Sequence, residues 1–253
     1  MNALTRLLPG APFIRYSLVV LVVLYLVFGL GLRGSESAGE VWALLALDPS
    51  RVFAAPAPWQ LLTYSLLHDL TNPMHLVFNG LTFYFFGRDL EERWGTKRIA
   101  LFSLASVIAG GLLVTLVYAV GLGGARVVGA SAAGTAFVIA WGLTYREREM
   151  ILFIFRTRGI TLVWITLGLE VLNAVSLSGV SSAAHWGGIG AGALLWALWE
   201  PSPLRRFLLR GRLAKLEAEA SKYGRGGKRG GSPSHLRVIP GGKEPPKDKR
   251  FLN

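Results

Sequence analysis

Residues 182–200 read SAAHWGGIGAGALLWALWE. The run is about as long as a membrane span, which needs ~20 mostly apolar residues. Its interior is apolar apart from one ionisable side chain, His185. Hydrocarbon is an expensive place for such a group, so an intramembrane histidine is by default a functional hypothesis. Gly188 and Gly192 stand four residues apart and form a GxxxG face, which lets another helix backbone approach closely. The stretch therefore reads as a span that is packed tightly on one side and carries one chemical group.

Working outward, five more segments have this character: roughly 13–32, 66–87, 98–120, 129–145 and 159–178. The first, with Arg15 near its start, is too long for a secretory leader and reads as a retained span. The chain is 52% hydrophobic and only 17% charged, against about 25% charged in ordinary soluble domains. The expected fold class is an all-α membrane protein, a bundle of six transmembrane helices. Residues 1–12 form a short N-terminus, 13–200 the membrane body and 201–253 a tail. Cysteine is absent, which excludes disulfides, thiol chemistry and cysteine-based metal sites. The loop 33–65 holds apolar patches at Val41–Leu47 and, running on, Trp59–Leu67, so partly helical interfacial structure is expected there, with Trp42 and Trp59 at headgroup level.

Charge sets the orientation. The net charge is +12, but the tail carries 14 Lys/Arg against 4 Asp/Glu, so the excess belongs to the tail and not to the body. Lys and Arg accumulate in cytoplasmic connections. With the N-terminus inside, the inner loops hold Arg88, Arg93, Lys97, Arg98, Arg146, Arg148, Arg156 and Arg158, whereas the outer side holds Arg33, Arg51 and Arg126. An even span count puts both termini in the cytoplasm, at the plasma (inner) membrane if the cell is bacterial. The second, fourth and sixth spans then run inward. His75, Asn79, Ser131 and His185 all fall within roughly 5–20 Å of the outer boundary, at 1.5 Å rise per residue. A common depth makes one shared site possible.

Each motif has two readings at this level. His75 and Asn79 are an i, i+4 pair on one helix face; they are hydrogen-bond donors to a developing oxyanion or a polar pair that fastens helices together. Gly129-Ala130-Ser131-Ala132-Ala133-Gly134 opens a span with small residues, which suits an approachable nucleophile or simply close packing. His185 with Gly188 and Gly192 either reaches Ser131 across a tight helix contact or is incidental to packing. His75 and His185 have no clear third ligand nearby in sequence, so neither a metal nor a cofactor is expected.

Taken together and in this order, the three motifs resemble those of the rhomboid family of intramembrane serine proteases. The resemblance covers roughly residues 55–200: HxxxN at His75/Asn79, GxS at Gly129/Ser131, and HxxGxxxG at His185/Gly188/Gly192. Leu62-Thr63, His68, and Gly87-Arg-Asp-Leu-Glu91-Glu-Arg-Trp-Gly95 extend it. The chain departs from the family pattern in two places. Ala132 follows the serine where many members have Gly, and its methyl is expected to narrow the site. Trp59-Gln60 stands where the first loop often has Trp-Arg.

The resemblance implies a serine endopeptidase that cuts transmembrane protein substrates near the outer face, at a small residue followed by a helix-destabilising stretch, with lateral entry near the second and fifth spans. Ser131 is the expected nucleophile and His185 the base. His75, Asn79 and the Ser131 N–H are the expected oxyanion donors, beside Gly129. No third acidic residue is expected in the site, so the reading is a Ser–His dyad. Glu170 in the fifth span is expected to be protonated or paired, with Asn173 as a possible partner. His68 and Asp69 are expected to be structural, and Trp94, Trp141, Trp196 and Trp199 to be anchors at the inner interface. The other function classes are a non-catalytic rhomboid-like client binder and a small transporter with a proton relay through His75, Glu170 and His185. In the tail, Leu204, Phe207, Leu208, Leu213 and Leu216 recur among basic residues, which favours an anionic lipid surface over nucleic acid. From Gly224 onward the composition reads as disorder.

Overall fold

The structure, a computed structural model, describes residues 10–31, 35–54, 56–152, 155–175 and 180–200, with positions 211, 214–216, 218 and 219 of the tail. The chain divides into a body ending at Pro201 and the tail that follows. The described tail positions are helical. Apart from Leu216, the residues of the expected amphipathic tail segment, and the expected disorder beyond it, lie outside the described residues, as do residues 1–9.

The body is predominantly helical. Helix α1 spans Pro12–Leu26 and continues through a π-helical turn, Val27–Gly31. Three short helices follow in the loop: α2 (Glu36–Leu45), α3 (Pro49–Ala54) and α4 (Gln60–Thr63), the last running into a single 3₁₀ turn, Tyr64–Leu66. Helix α5 (Pro73–Thr82) passes through a π-helical turn, Phe83–Gly87, into α6 (Arg88–Trp94). Then come α7 (Thr96–Ala119), α8 (Ser131–Thr144), α9 (Gly159–Val175) and α10 (Val180–Trp199).

Every segment expected to span is largely helical, with two corrections. The second begins at Pro73, not near residue 66, because Pro73 is preorganised for the first helical position and the Asn72 side chain accepts from the Met74 N–H at 3.2 Å, a helix N-cap. The body is also not all-α. Between α8 and α9, β1 (Glu149–Leu152) pairs antiparallel with β2 (Phe155–Arg158), Glu149 opposite Arg158 and Leu152 opposite Phe155. The run Met150-Ile-Leu-Phe-Ile-Phe-Arg-Thr157 is rich in β-branched and aromatic residues, which favour a strand over a helix. Ile151 and Phe155 are each 69% exposed on this hairpin.

By length and composition, Pro12–Gly29 and Thr96–Ala119 are long and apolar enough to cross a membrane, with mean hydropathies of 2.0 and 2.3; Ser131–Thr144 and Gly159–Val175 are apolar but shorter. The reason α8 is short lies in its position. It is the central helix, with Ala132, Ala133, Gly134 and all of Ala136–Gly142 buried. A helix that is apolar all round belongs in a core. Helix α10 lies along both α7 and α8, and α9 packs on α8. The outward faces stay apolar: Leu112 on α7, Trp164, Leu172 and Val175 on α9, and Leu194 and Leu198 on α10 are all more than half exposed. Contiguous apolar surface of this kind marks contact with membrane or partner rather than water.

Buried polar groups tie the ends of the bundle. Glu91, on α6, accepts from the Phe13 and Ile14 N–H groups at 2.9 Å each and from the Thr96 hydroxyl at 2.8 Å. It thereby satisfies donors that the first turn of α1 leaves open. At the same end Glu200 holds Arg93 through two hydrogen bonds, 2.6 and 2.8 Å, and accepts from the Trp94 indole at 2.8 Å. Of the four tryptophans expected as interfacial anchors, two are internal struts, while Trp196 and Trp199 are half-buried. Trp94 and Trp141 are buried; Trp141 donates to Asp89 at 2.9 Å and Trp196 to Thr144 at 3.0 Å. An indole N–H held in the interior finds a protein acceptor rather than a headgroup.

The partly helical first loop is as expected, and the Trp59-Gln60 departure serves its packing. Trp59 donates to the Leu44 carbonyl at 3.0 Å. Gln60, fully buried, donates to the same carbonyl at 3.0 Å and accepts from the Asp48 N–H at 3.1 Å. An amide, with donors and an acceptor, here meets both needs of the loop backbone.

Candidate active site

The chain reaches Ser131 through a fixed approach. Leu47 and Val127 exchange both backbone hydrogen bonds, at 3.1 and 2.9 Å, and Arg126 pairs with Asp48 at 3.2 Å. Gly129 donates to the Tyr64 carbonyl at 3.0 Å and adopts φ +122°, a conformation that suits glycine. Two residues later Ser131 opens α8. Its N–H, at the first helical position, has no intrahelical acceptor, and the positive end of the helix dipole lies there.

Helix α10 brings His185 to this point. A Cβ on Gly188 would meet the Ala132 backbone, with its carbonyl carbon 2.7 Å away, and one on Gly192 would lie 2.8 Å from the Ala136 Cβ and 2.8 Å from the Phe102 ring. The GxxxG face thus lies on α8. Gly187, which the sequence reading did not single out, faces α7, where an added Cβ would lie 2.8 Å from the Gly110 Cα. At this spacing Nε2 of His185 lies 2.8 Å from Oγ of Ser131, hydrogen-bond distance between residues 54 apart in sequence.

The second pair comes from α5. His75 lies against Gly129, and Asn79 against Gly134, where an added Cβ would lie 3.5 Å from its Oδ1. Asn79 is buried, and one of its amide hydrogens is donated to the His75 carbonyl at 2.8 Å. A cavity of about 410 Å³ is lined by His75, Asn79, Ser131, Thr135, His185 and neighbouring residues. All four polar residues picked out by depth therefore share one cavity. Behind His75, the buried ring of His68 stacks edge-on at 5.2 Å between centroids.

Two expectations are corrected. Ala132 does not narrow the cavity. It is fully buried, and an added Cβ on Gly110 would lie 2.8 Å from its methyl, so that methyl points into the α7–α10 side of the bundle, where Gly110 leaves it room. The expected absence of a third acidic residue is also wrong. Both carboxylate oxygens of Glu170, on α9, lie 2.9 Å from Nδ1 of His185. The signal was available: Glu170 sits five residues from the C-terminal end of its helix, the end that the charge count assigns to the outer side, at the depth expected for the other four residues.

The geometry is a hydroxyl on an imidazole on a carboxylate, opening into a cavity with further donors. A family model, the rhomboid domain, matches residues 55–201. The chain belongs to the rhomboid family. RHOMBOID-like protein 4 of Arabidopsis thaliana is similar to it, 33% identical over 150 residues, which is 59% of this chain and 36% of that protein; the chain spans about a third of the length of this curated relative. The rhomboid domain and the apolar helices make this an integral membrane protein, and the rhomboid match takes in α4 through α10, every element that supplies a cavity side chain.

Proposed function

We propose that this rhomboid protein is an intramembrane serine endopeptidase, with six spans, both termini in the cytoplasm, and transmembrane proteins as substrates cut near the outer face. The observation that carries the reading is the 2.8 Å contact between Ser131 Oγ and His185 Nε2 at the wall of a polar-sided cavity. A serine hydroxyl is a weak nucleophile until a base takes its proton. In the reaction Ser131 attacks the peptide carbonyl as its proton passes to Nε2. That proton then goes to the leaving amine, and water releases the acyl group by the reverse route. The negative oxygen formed on attack lies near the Ser131 N–H, with His75 and Asn79 across the cavity as further donors. A peptide bond inside an intact helix is shielded, so substrates with a small residue and a weak helix at the cut fit the site best. The outward-facing α5 and α9 are the proposed sides of lateral entry.

The test is paired. Wild-type protein in detergent reacts with a fluorophosphonate probe and cuts a model transmembrane substrate, while Ser131→Ala and His185→Ala do neither and still accumulate in the membrane. Cleavage by either variant at the wild-type rate would falsify the reading. The tail, with its 14 basic residues, is proposed to lie on anionic lipid, each nearby charge contributing ~1 kcal/mol of attraction. A peptide of residues 201–253 then binds anionic vesicles at low salt and releases as salt rises; indifference to lipid charge rejects this.

A further inference from the structure

We propose that Glu170 is a positioning residue for His185, so that the site works as a Ser131–His185–Glu170 triad rather than as a dyad. The inference rests on the protease reading above and adds a residue to it. Three observations converge. Both Glu170 oxygens lie 2.9 Å from Nδ1. The two side chains are 10% and 16% exposed, so the pair is largely removed from competing water. The start of α10 is fastened to α9 where the pair forms, because the Ser182 hydroxyl donates to the Glu170 carbonyl at 3.3 Å.

The chemistry follows from donor counting. An ionised carboxylate only accepts hydrogen bonds. Facing it, Nδ1 carries the imidazole proton, and Nε2 is left with its lone pair directed at the Ser131 hydroxyl. Glu170 therefore selects the tautomer that can act as a base. When Ser131 Oγ bonds to the carbonyl carbon, its proton moves to Nε2 and the imidazole becomes cationic. The Nδ1 proton stays on the ring, and its hydrogen bond to Glu170 becomes charge-assisted. As the C–N bond breaks, the Nε2 proton goes to the amine and the ring returns to its starting tautomer. Glu170 changes neither protonation nor bonding. A carboxylate is costly in a membrane interior unless it is paired, and here the pairing strengthens at the step where positive charge forms. The titratable groups facing His185 are Glu170 from α9 and His75 from α5, with His68 behind His75; Tyr64, on the 3₁₀ turn, commits its hydroxyl to the Val107 carbonyl of α7 at 2.8 Å.

The experiment uses the full chain in detergent, with Glu170→Gln, Glu170→Ala and Glu170→Asp. Glu170→Gln keeps shape and removes charge. It lowers kcat by about 10²- to 10⁴-fold, the range expected when a buried carboxylate no longer holds the base in its working tautomer, and leaves KM within about twofold. Glu170→Asp recovers part of the loss. Nitrogen-15 spectra of histidine-labelled protein show His185 protonated at Nδ1 in the wild type and as a tautomer mixture in Glu170→Gln. A Glu170→Gln variant with wild-type kcat, or with a lowered Tm but His185 still protonated at Nδ1, overturns the proposal while leaving the protease reading intact. A wild type inert toward probe and substrate instead removes the protease reading, and the triad with it.

Discussion

His75 rests on Gly129: a Cβ placed on Gly129 would lie 2.6 Å from Nε2 of His75 and 2.7 Å from its Cε1. The α5 helix thus meets the approach to Ser131 through one hydrogen atom. Gly129→Ala meets two obstacles at once, this contact and a φ of +122° that side chains rarely adopt. Displacing reacting groups by about 1 Å costs ~100-fold in rate. The variant is expected to lose at least that much cleavage, and fluorophosphonate labelling of Ser131 should slow with it. Labelling at the wild-type rate would show that the approach tolerates the methyl and that the cradle is not needed.

Asn79 already gives one amide hydrogen to the His75 carbonyl, so its role depends on the second. An oxyanion donor contributes about 10- to 1000-fold to turnover. Asn79→Ala is expected to lower kcat within that range and still accept the probe, since nucleophile and base are untouched. An unchanged kcat in a folded variant returns Asn79 to helix fastening.

The small-residue contacts separate packing from chemistry. Gly188→Val drives a side chain into the Ala132 backbone. Overpacking costs about 1–3 kcal/mol, and each kcal/mol lowers Tm by ~2–4 °C in a chain of this size. Stability and cleavage are expected to fall together, because the same contact holds His185 against Ser131. Ala132→Gly is the contrasting case. Its methyl points away from the cavity, so kcat/KM stays within about threefold, while a helical glycine costs ~1 kcal/mol of stability. A large gain in activity from Ala132→Gly would mean that the methyl does intrude on substrate.

These residues also show how far the sequence could be read. Periodicity and apolar length placed the helices, and the 3.6-residue repeat put His75 with Asn79 and Gly188 with Gly192. Depth counting gathered four of the cavity's polar residues, since a helix converts residue number into height. Height says nothing of azimuth, which is why the methyl of Ala132 was placed on the wrong side of α8. The pairing of Glu170 was legible, because a buried carboxylate is costly alone, but its contact with His185 was not, because that partner stands on α10 and spacing along one helix does not reach it. The hairpin Glu149–Arg158 was absorbed into a connection because its charged ends drew attention from its β-branched centre. Composition assigns the tryptophans to headgroups, whereas side-chain acceptors, Asp89 for Trp141 and Glu200 for Trp94, hold two of them inside the fold.

The last prediction concerns the support beneath the nucleophile. Asp48 has two tasks. Its carboxylate accepts from the Ser50 N–H at 3.2 Å and from the Ser50 hydroxyl at 2.6 Å, capping α3 ahead of Pro49, and it pairs with Arg126 five residues before Ser131. The Ser50 hydroxyl first, and then Arg126, hold its pKa below the ordinary 3.8, against a partial opposing effect of burial. A carboxyl whose folded pKa is depressed contributes stability above its unfolded pKa and loses it as pH falls through the folded value. Asp48→Ala removes the cap and the pair, at a cost of about 1 kcal/mol, or ~2–4 °C in Tm at pH 7. The difference between wild type and variant should hold down to about pH 5 and narrow below pH ~4, as the wild-type carboxyl itself becomes protonated. Thermal melts in detergent across that range make the measurement. A gap that stays constant down to pH 3 would assign the loss to packing around α3 and not to the charge, and a gap that widens on acidification would reverse the sign of the argument.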